Sequence, residues 1–152
     1  MSRGWPLVCS LLTILIACGS EDPNSELREL IERTEIAAEE RETGHFRRLL
    51  SDSYIDVRGN DRDRMIDIIR GYFLTHQSLE VVTRIEFIVL NGTDAAEVSL
   101  LAGLLGQREG ASLLGGLDGR LYDVELELVR EGGDWQIIGA GWERSLSSWD
   151  GD

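Results

Sequence analysis

Residues 121 to 129 read Leu-Tyr-Asp-Val-Glu-Leu-Glu-Leu-Val, so apolar and acidic side chains alternate along this stretch. A strand turns successive side chains to opposite faces, which gives this segment one buried face and one solvated face. Only an antiparallel sheet covered on one side accommodates Asp123, Glu125 and Glu127 beside Tyr122, Val124, Leu126 and Leu128. The rest of the chain must then supply the cover. Three other segments carry a strand pattern. Ser78 to Leu90 is expected to face inward with Leu79, Val81, Thr83, Ile85, Phe87 and Val89, against Glu80, Arg84 and Glu86 outside. Ala95 to Leu105 is expected to turn Val98, Leu100, Ala102 and Leu104 inward. The alternating strand itself runs from Arg120 to Glu131, and Asp134 to Ser145 closes the set. Asn91-Gly92 and Gly132-Gly133 are the hairpin turns between them.

The cover is predicted to be helical. Leu27, Leu30, Ile31, Thr34, Ala37 and Ala38 fall on one stripe of a helix expected to run to Gly44, where it breaks. Glu29 and Arg33 sit one turn apart on its solvated side. A short continuation buries Phe46, Leu49 and Leu50. Asp52 to Asp61 is expected to be a short extended segment ending in a turn. Asn60 is then expected to cap a further helix that buries Met65, Ile68, Ile69, Tyr72 and Phe73, with Asp61 and Asp63 in its first turn. Helices first and an antiparallel meander afterwards make an α+β domain.

The chain has 152 residues, enough for one domain with its own core. Its formal net charge is −13, and all 15 basic residues are Arg. So acidic a surface repels phosphate backbones and argues against a nucleic-acid partner. Both cysteines, Cys9 and Cys18, lie in the leader, so no disulfide is expected in the domain. Neither His45 nor His76 has a second ligand at metal spacing, so both are expected to be surface or satisfied residues, with no metal. No phosphate loop or Gly-x-Ser-x-Gly motif occurs, and no cofactor is expected.

Arg3 followed by the apolar run Pro6 to Ala17 has the length of a signal-peptide core and is too short to span a bilayer. It ends in Leu-Ile-Ala-Cys, residues 15 to 18, which resembles the lipobox of bacterial lipoproteins. The resemblance implies cleavage before Cys18, diacylglycerol on its thiol and acylation of the new N-terminus. Residues 1–17 would then be the leader and 18–24 the lipidated cysteine and polar tether. The domain would span 25–145, with a tail over 146–152. Seven tether residues, Gly19 to Ser25, reach at most ~25 Å, which keeps the domain near its membrane. In enterobacterial lipoproteins an Asp after the lipidated Cys resembles an inner-membrane retention signal, so with Gly19 the resemblance implies an outer membrane over an inner one, if the host has one. The expected location is the cell envelope, facing the periplasm.

The segments LSDSYIDVRGNDRDRMIDIIRGYFLTHQ and LYDVELELVREGGDWQIIGAGWERS, with the order of elements from Ser25 to Ser145, resemble the nuclear transport factor 2-like superfamily and its SnoaL-like members. That resemblance implies helices packed in the mouth of a strongly curved sheet, a cone with a cystatin-like fold and an inner pocket. Tyr54, Asp56, Tyr72, Phe87, Tyr122 and Trp142 are the residues expected to line it, although such aromatics more often serve the core. Enzymatic members place acids, Tyr or His inside the cone. Here Asp56 is the one candidate general base, and it reads first as a turn or cap acid beside Arg58.

Residues 102 to 119 read nearly as one nine-residue unit written twice. The pattern falls short of a calcium-binding repeat, and the strand that follows excludes a helix-end phosphate cradle. It is expected to be a strand-to-strand connection, Gly106 to Gly119, forming a flap with Leu113, Leu114 and Leu117. The expectation is a lipid-anchored module that binds a small apolar ligand or serves an accessory role. An interaction module for an envelope protein is the first alternative, and a hydrolase or isomerase using Asp56 the second. The acidic outer face of the sheet predicts a monomer.

Overall fold

The computed structural model describes residues 23–108 and 117–145, with side chains over 24–106 and 119–145. The leader with Cys18, the connection with Leu113 and Leu114, the Leu117 side chain and the tail lie outside the described residues. Three helices, α1 (Pro23–Glu39), α2 (Thr43–Leu49) and α3 (Arg62–Thr75), precede four strands. These are β1 (His76–Leu90), β2 (Ala95–Arg108), β3 (Leu117–Glu131) and β4 (Asp134–Arg144), paired in order as an antiparallel meander. The architecture is the α+β one that the alternation demanded. Gly92 turns the first hairpin at φ 77°, and Gly132 and Gly133 turn the last at 62° and 98°, a region costly for any side chain.

The core lies between the helices and the concave face. Leu27, Leu30 and Ile31 of α1, Leu49 and Leu50, Tyr54, and Met65 and Ile66 of α3 meet Val98, Leu100, Leu128, Trp135 and Ile137 of the sheet. No helix among the described residues is long and apolar enough to cross a membrane.

Four local expectations need correction. The first helix stops at Glu39, not Gly44. Arg41 takes a left-handed φ of 59°, while the N–H groups of Arg41 and Glu42 donate back to the carbonyls of Ala38 and Ala37. This double bond closes a helix C-terminus without glycine, and Gly44 falls inside α2. The cap of α3 is Asp61, whose Oδ1 accepts from the Arg64 N–H at 2.9 Å, because Asn60 is engaged with Asp56. Within α3, Ile66 is fully buried and Ile68 is 42 % exposed. The run Met-Ile-Asp-Ile-Ile offers two apolar stripes, and packing selects the one through Met65 and Ile66.

The fourth correction is in β1. A bulge between Ile85 and Phe87 shifts its register against β2. One extra residue reverses the faces beyond it. Ile88 and Leu90 therefore join the core, while Phe87 and Val89 stand 52 % and 43 % exposed on the convex face. Val82 and Leu105 are exposed there too, so the outer face is acidic on β3, while β1 and β2 set these apolar side chains among Glu80, Arg84 and Glu97.

The β2–β3 ladder continues to Gln107 opposite Leu117, so the connection is shorter than Gly106 to Gly119, and Leu117 opens β3 instead of riding on a flap.

Both sheet edges are covered in part. On β1 the N–H groups of Val81 and Thr83 donate to the carboxylates of Glu39 and Glu35 on α1, at 3.0 and 2.6 Å. Along β4, the N–H groups of Ser51, Ile55 and Val57 donate to the carbonyls of Ile137, Ile138 and Ala140, each at 3.0 Å. Unpaired edge groups are thereby satisfied without a fifth long strand.

Candidate functional site

The residues expected to share one pocket are dispersed. Tyr54 is 2 % exposed inside the core, where burial, and secondarily the charge of Asp56, pushes its phenol well above the ordinary range. Tyr72 stacks on His76 with ring centroids 4.0 Å apart. Phe87 points away from the cone for the reason given above. Tyr122 and Trp142 are half-buried on neighbouring strands of the concave face, and the Arg58 guanidinium lies 4.6 Å from the Trp142 ring centre.

Asp56 is buried, but its carboxylate is already occupied. Oδ1 accepts from the N–H groups of Arg58 and Asn60 at 2.8 and 2.9 Å, and Oδ2 accepts from the Asn60 side-chain amide at 2.9 Å. Burial acts to raise its pKa, yet these hydrogen bonds and the Arg58 charge outweigh it, and the group is held below the usual carboxylate range. That is a turn acid, in which the side chain replaces backbone acceptors across a loop.

The two histidines differ. His45 is half-buried and bonded through Nε2 to Thr34 Oγ1 at 3.0 Å. Since the Thr34 hydroxyl donates to the Leu30 carbonyl at 2.7 Å, His45 is the donor of this pair. His76 is 4 % exposed, not a surface residue. Its Nδ1 lies 2.9 Å from the Tyr72 carbonyl and must carry the proton, which leaves Nε2 buried without a partner. No group of three or more His, Cys, Asp or Glu able to hold a metal occurs among the described residues.

Two open clefts stand out among the described residues, and none of the six expected pocket residues lines either. The smaller, about 570 Å³, lies on the convex face, where Gly103 and Gly119 leave the backbone bare between Val82, Leu105 and Leu121. The larger, about 760 Å³, lies among α1, α2, the start of α3 and the β3–β4 hairpin. Helical spacing assembles its walls. Glu26, Glu29, Leu30 and Arg33 share one side of α1, and His45, Arg48 and Leu49 one side of α2. Arg62 opens α3, and the hairpin contributes Arg130, Asp134, Trp135 and Gln136.

One wall of this cleft is tied together by hydrogen bonds. Arg130 Nη2 and Trp135 Nε1 both donate to Glu26 Oε2, at 2.6 and 3.0 Å, and the guanidinium of Arg130 lies 4.5 Å from the Trp135 ring centre. The hydrogen bond from Arg130 is the main cause holding the Glu26 carboxyl below its ordinary value. On the other wall, burial is the main cause that lowers the His45 pKa; Arg48 and Arg33 lower it further, and Glu42 opposes them. Arg33 reaches only Glu29, at 3.9 Å. Arg62 contacts the Asp52 carboxylate and the Arg47 carbonyl, while its Nε is buried without a partner. No local motif marks this cleft, because its residues come from four elements. The available signal was the basic character of Arg47-Arg48 and Arg62 in an acidic chain.

The fold defined by these elements is the nuclear transport factor 2-like, cystatin-like cone. It is similar to a proposed scytalone dehydratase from Novosphingobium aromaticivorans, with a TM-score of 0.73 at 9 % identity, covering 81 % of this chain and 84 % of that one. A proposed dehydratase of the nuclear transport factor 2-like family from Streptomyces avermitilis superposes with a TM-score of 0.69 at 12 % identity, over 82 % and 97 % of the two chains. A ketosteroid isomerase-like protein from Erwinia carotovora atroseptica gives 0.63 at 13 % identity, over 82 % and 96 %. No family model and no curated protein matches the sequence. At these identities the likeness is one of fold.

Proposed function

We propose that this chain is a lipid-anchored envelope protein, facing the periplasm and held by Cys18, whose domain binds a small ligand without transforming it. The observation that carries the non-enzymatic part is Asp56. The only acid placed by sequence for proton transfer has both oxygens committed to its turn and a lowered pKa, which makes it a poor base at neutral pH. The anchor rests on the lipobox at residues 15 to 18. The ligand site in this reading is the larger cleft, whose walls are fixed by Glu26, Arg130 and Trp135.

Mass spectrometry of the protein extracted from membranes tests both parts. A mature N-terminus at acylated Cys18 and a small molecule that survives native ionisation are the expected results. An unmodified Cys18, or Cys18→Ser remaining processed and membrane-bound, would sink the anchor. Turnover of a substrate abolished by Asp56→Asn would replace the binding reading with the enzymatic one.

The convex face favours a second reading. Val82, Phe87, Val89 and Leu105 expose apolar surface there, a feature of interaction sites. In that reading an envelope protein is the partner; a stoichiometric partner lost in Phe87→Glu would support it. For the isolated chain we keep the monomer proposal, since Asp123, Glu125 and Glu127 occupy the same face. Light scattering tests it.

A further inference from the structure

We infer that the larger cleft is an oxyanion site that takes a tetrahedral dianion, a phosphate ester or its sulfate analogue, on Arg48, Arg33 and Arg62. The inference rests on the ligand-binding reading above and names the chemistry of that site. Four guanidiniums, Arg33, Arg48, Arg62 and Arg130, line one volume in a chain of net charge −13. The cleft's own acids do not use them up. Glu26 is committed to Arg130 and Trp135, and Glu29 reaches Arg33 only at 3.9 Å between two exposed side chains. Asp134 remains, on the hairpin. Arg48 has no anionic partner among the described residues; Arg62 is paired with Asp52, outside the lining, and keeps one buried N–H, its Nε, without an acceptor among them. A buried cationic donor left unpaired is costly, and an anion is the acceptor this lining lacks. The three arginines come from three different helices. Donors arriving from several directions suit a tetrahedral anion better than a planar carboxylate, which one guanidinium satisfies edge to edge.

His45 supplies a second, independent readout. Arg33 and Arg48 face it and lower its pKa, Glu42 raises it, and Thr34 accepts from its Nε2. An anion that neutralises the two arginines must raise the His45 pKa, so binding takes up a proton and tightens as pH falls. The ligand has two sources. α1 begins at Pro23, and the cleft lining begins at Glu26. Five residues from an acylated Cys18 to Pro23 reach at most about 18 Å and the first turn of α1 adds about 5 Å, so lipid head groups lie within range as well as free esters.

The test uses the lipidated protein in phosphatidylcholine nanodiscs, titrated calorimetrically with inorganic sulfate, whose charge is constant across the neutral range. The expected result is saturable binding that Arg48→Ala weakens about tenfold or more and Arg48→Lys weakens less. Affinity should rise toward acid, and His45→Gln should remove that dependence. Nanodiscs containing phosphatidic acid, whose head group is a phosphate monoester able to carry two charges, identify the source. Loss of sulfate binding there assigns the cleft to a head group; equal binding in both discs assigns it to a free ester. No sulfate binding, or equal affinity in Arg48→Ala, overturns the oxyanion site. If a small molecule still co-purifies with Arg48→Ala and sulfate does not displace it, this inference fails while the ligand-binding reading stands.

Discussion

Gly106 of β2 lies against the imidazole of His76, so close that a methyl group at 106 would stand 2.7 Å from Cδ2 and 3.3 Å from the Tyr72 hydroxyl. The glycine is required by space, since its φ is not in the left-handed region. Gly106→Ala should destabilise the domain by about 1–3 kcal/mol, the usual cost of overpacking a filled site. The double variant with His76→Ala should recover much of that loss. Urea denaturation of the four members of the cycle measures the coupling.

Removing an edge cap should loosen β1 locally before it unfolds the domain. Glu35 and Glu39 accept from Thr83 and Val81 at the outer edge of the sheet. Glu35→Ala should speed hydrogen exchange at the Thr83 amide and leave the amide of Val98, deep in β2, unchanged. The loss of global stability should be about 1 kcal/mol. Uniform acceleration across the sheet would contradict the local role.

Asp56 should matter to stability in one direction of pH only. Its pKa is lowered in the folded state, so its contribution is present above the ordinary carboxylate value and fades as pH falls through the folded one. Asp56→Ala leaves three donors without an acceptor and should cost about 1–3 kcal/mol near neutrality, less in acid. Denaturation midpoints across that range check the sign.

His45 and Glu26 both make the domain weaker in acid, in separate windows. The folded pKa of His45 is depressed, so the unfolded chain takes its proton first. Its stabilising effect is complete above the ordinary histidine value of 6.5 and declines below it. Glu26 is also depressed, and its effect is lost only as pH falls below 4.5. Arg48→Gln should raise the His45 pKa and Glu42→Gln should lower it, as read by imidazole chemical shifts.

The alternation from Leu121 to Val129 was enough to specify a one-sided antiparallel sheet, and the α1 stripe through Leu27, Leu30, Ile31 and Ala37 to specify its cover. Residues 87 to 90, Phe-Ile-Val-Leu, are all apolar, so nothing in their order marks where the bulge reverses the faces. That is why Phe87 was misplaced. The aromatic set lines neither of the two clefts for a related reason. Burial of Tyr54 and the stacking of Tyr72 on His76 depend on contacts distant in sequence. The arginine cleft was illegible because α1, α2, α3 and a hairpin each supply only part of it, and no local spacing joins them.

The coverage of both sheet edges bears on behaviour at high local concentration. A sheet with a bare edge is a template on which another copy can add a strand, and repetition of that step leads to fibres. Here α1 carboxylates hold the amides of β1, and a short irregular segment holds the carbonyls of β4. Where these bonds stand another copy cannot add a strand, so contact between copies is directed toward the faces, where shape and charge limit it.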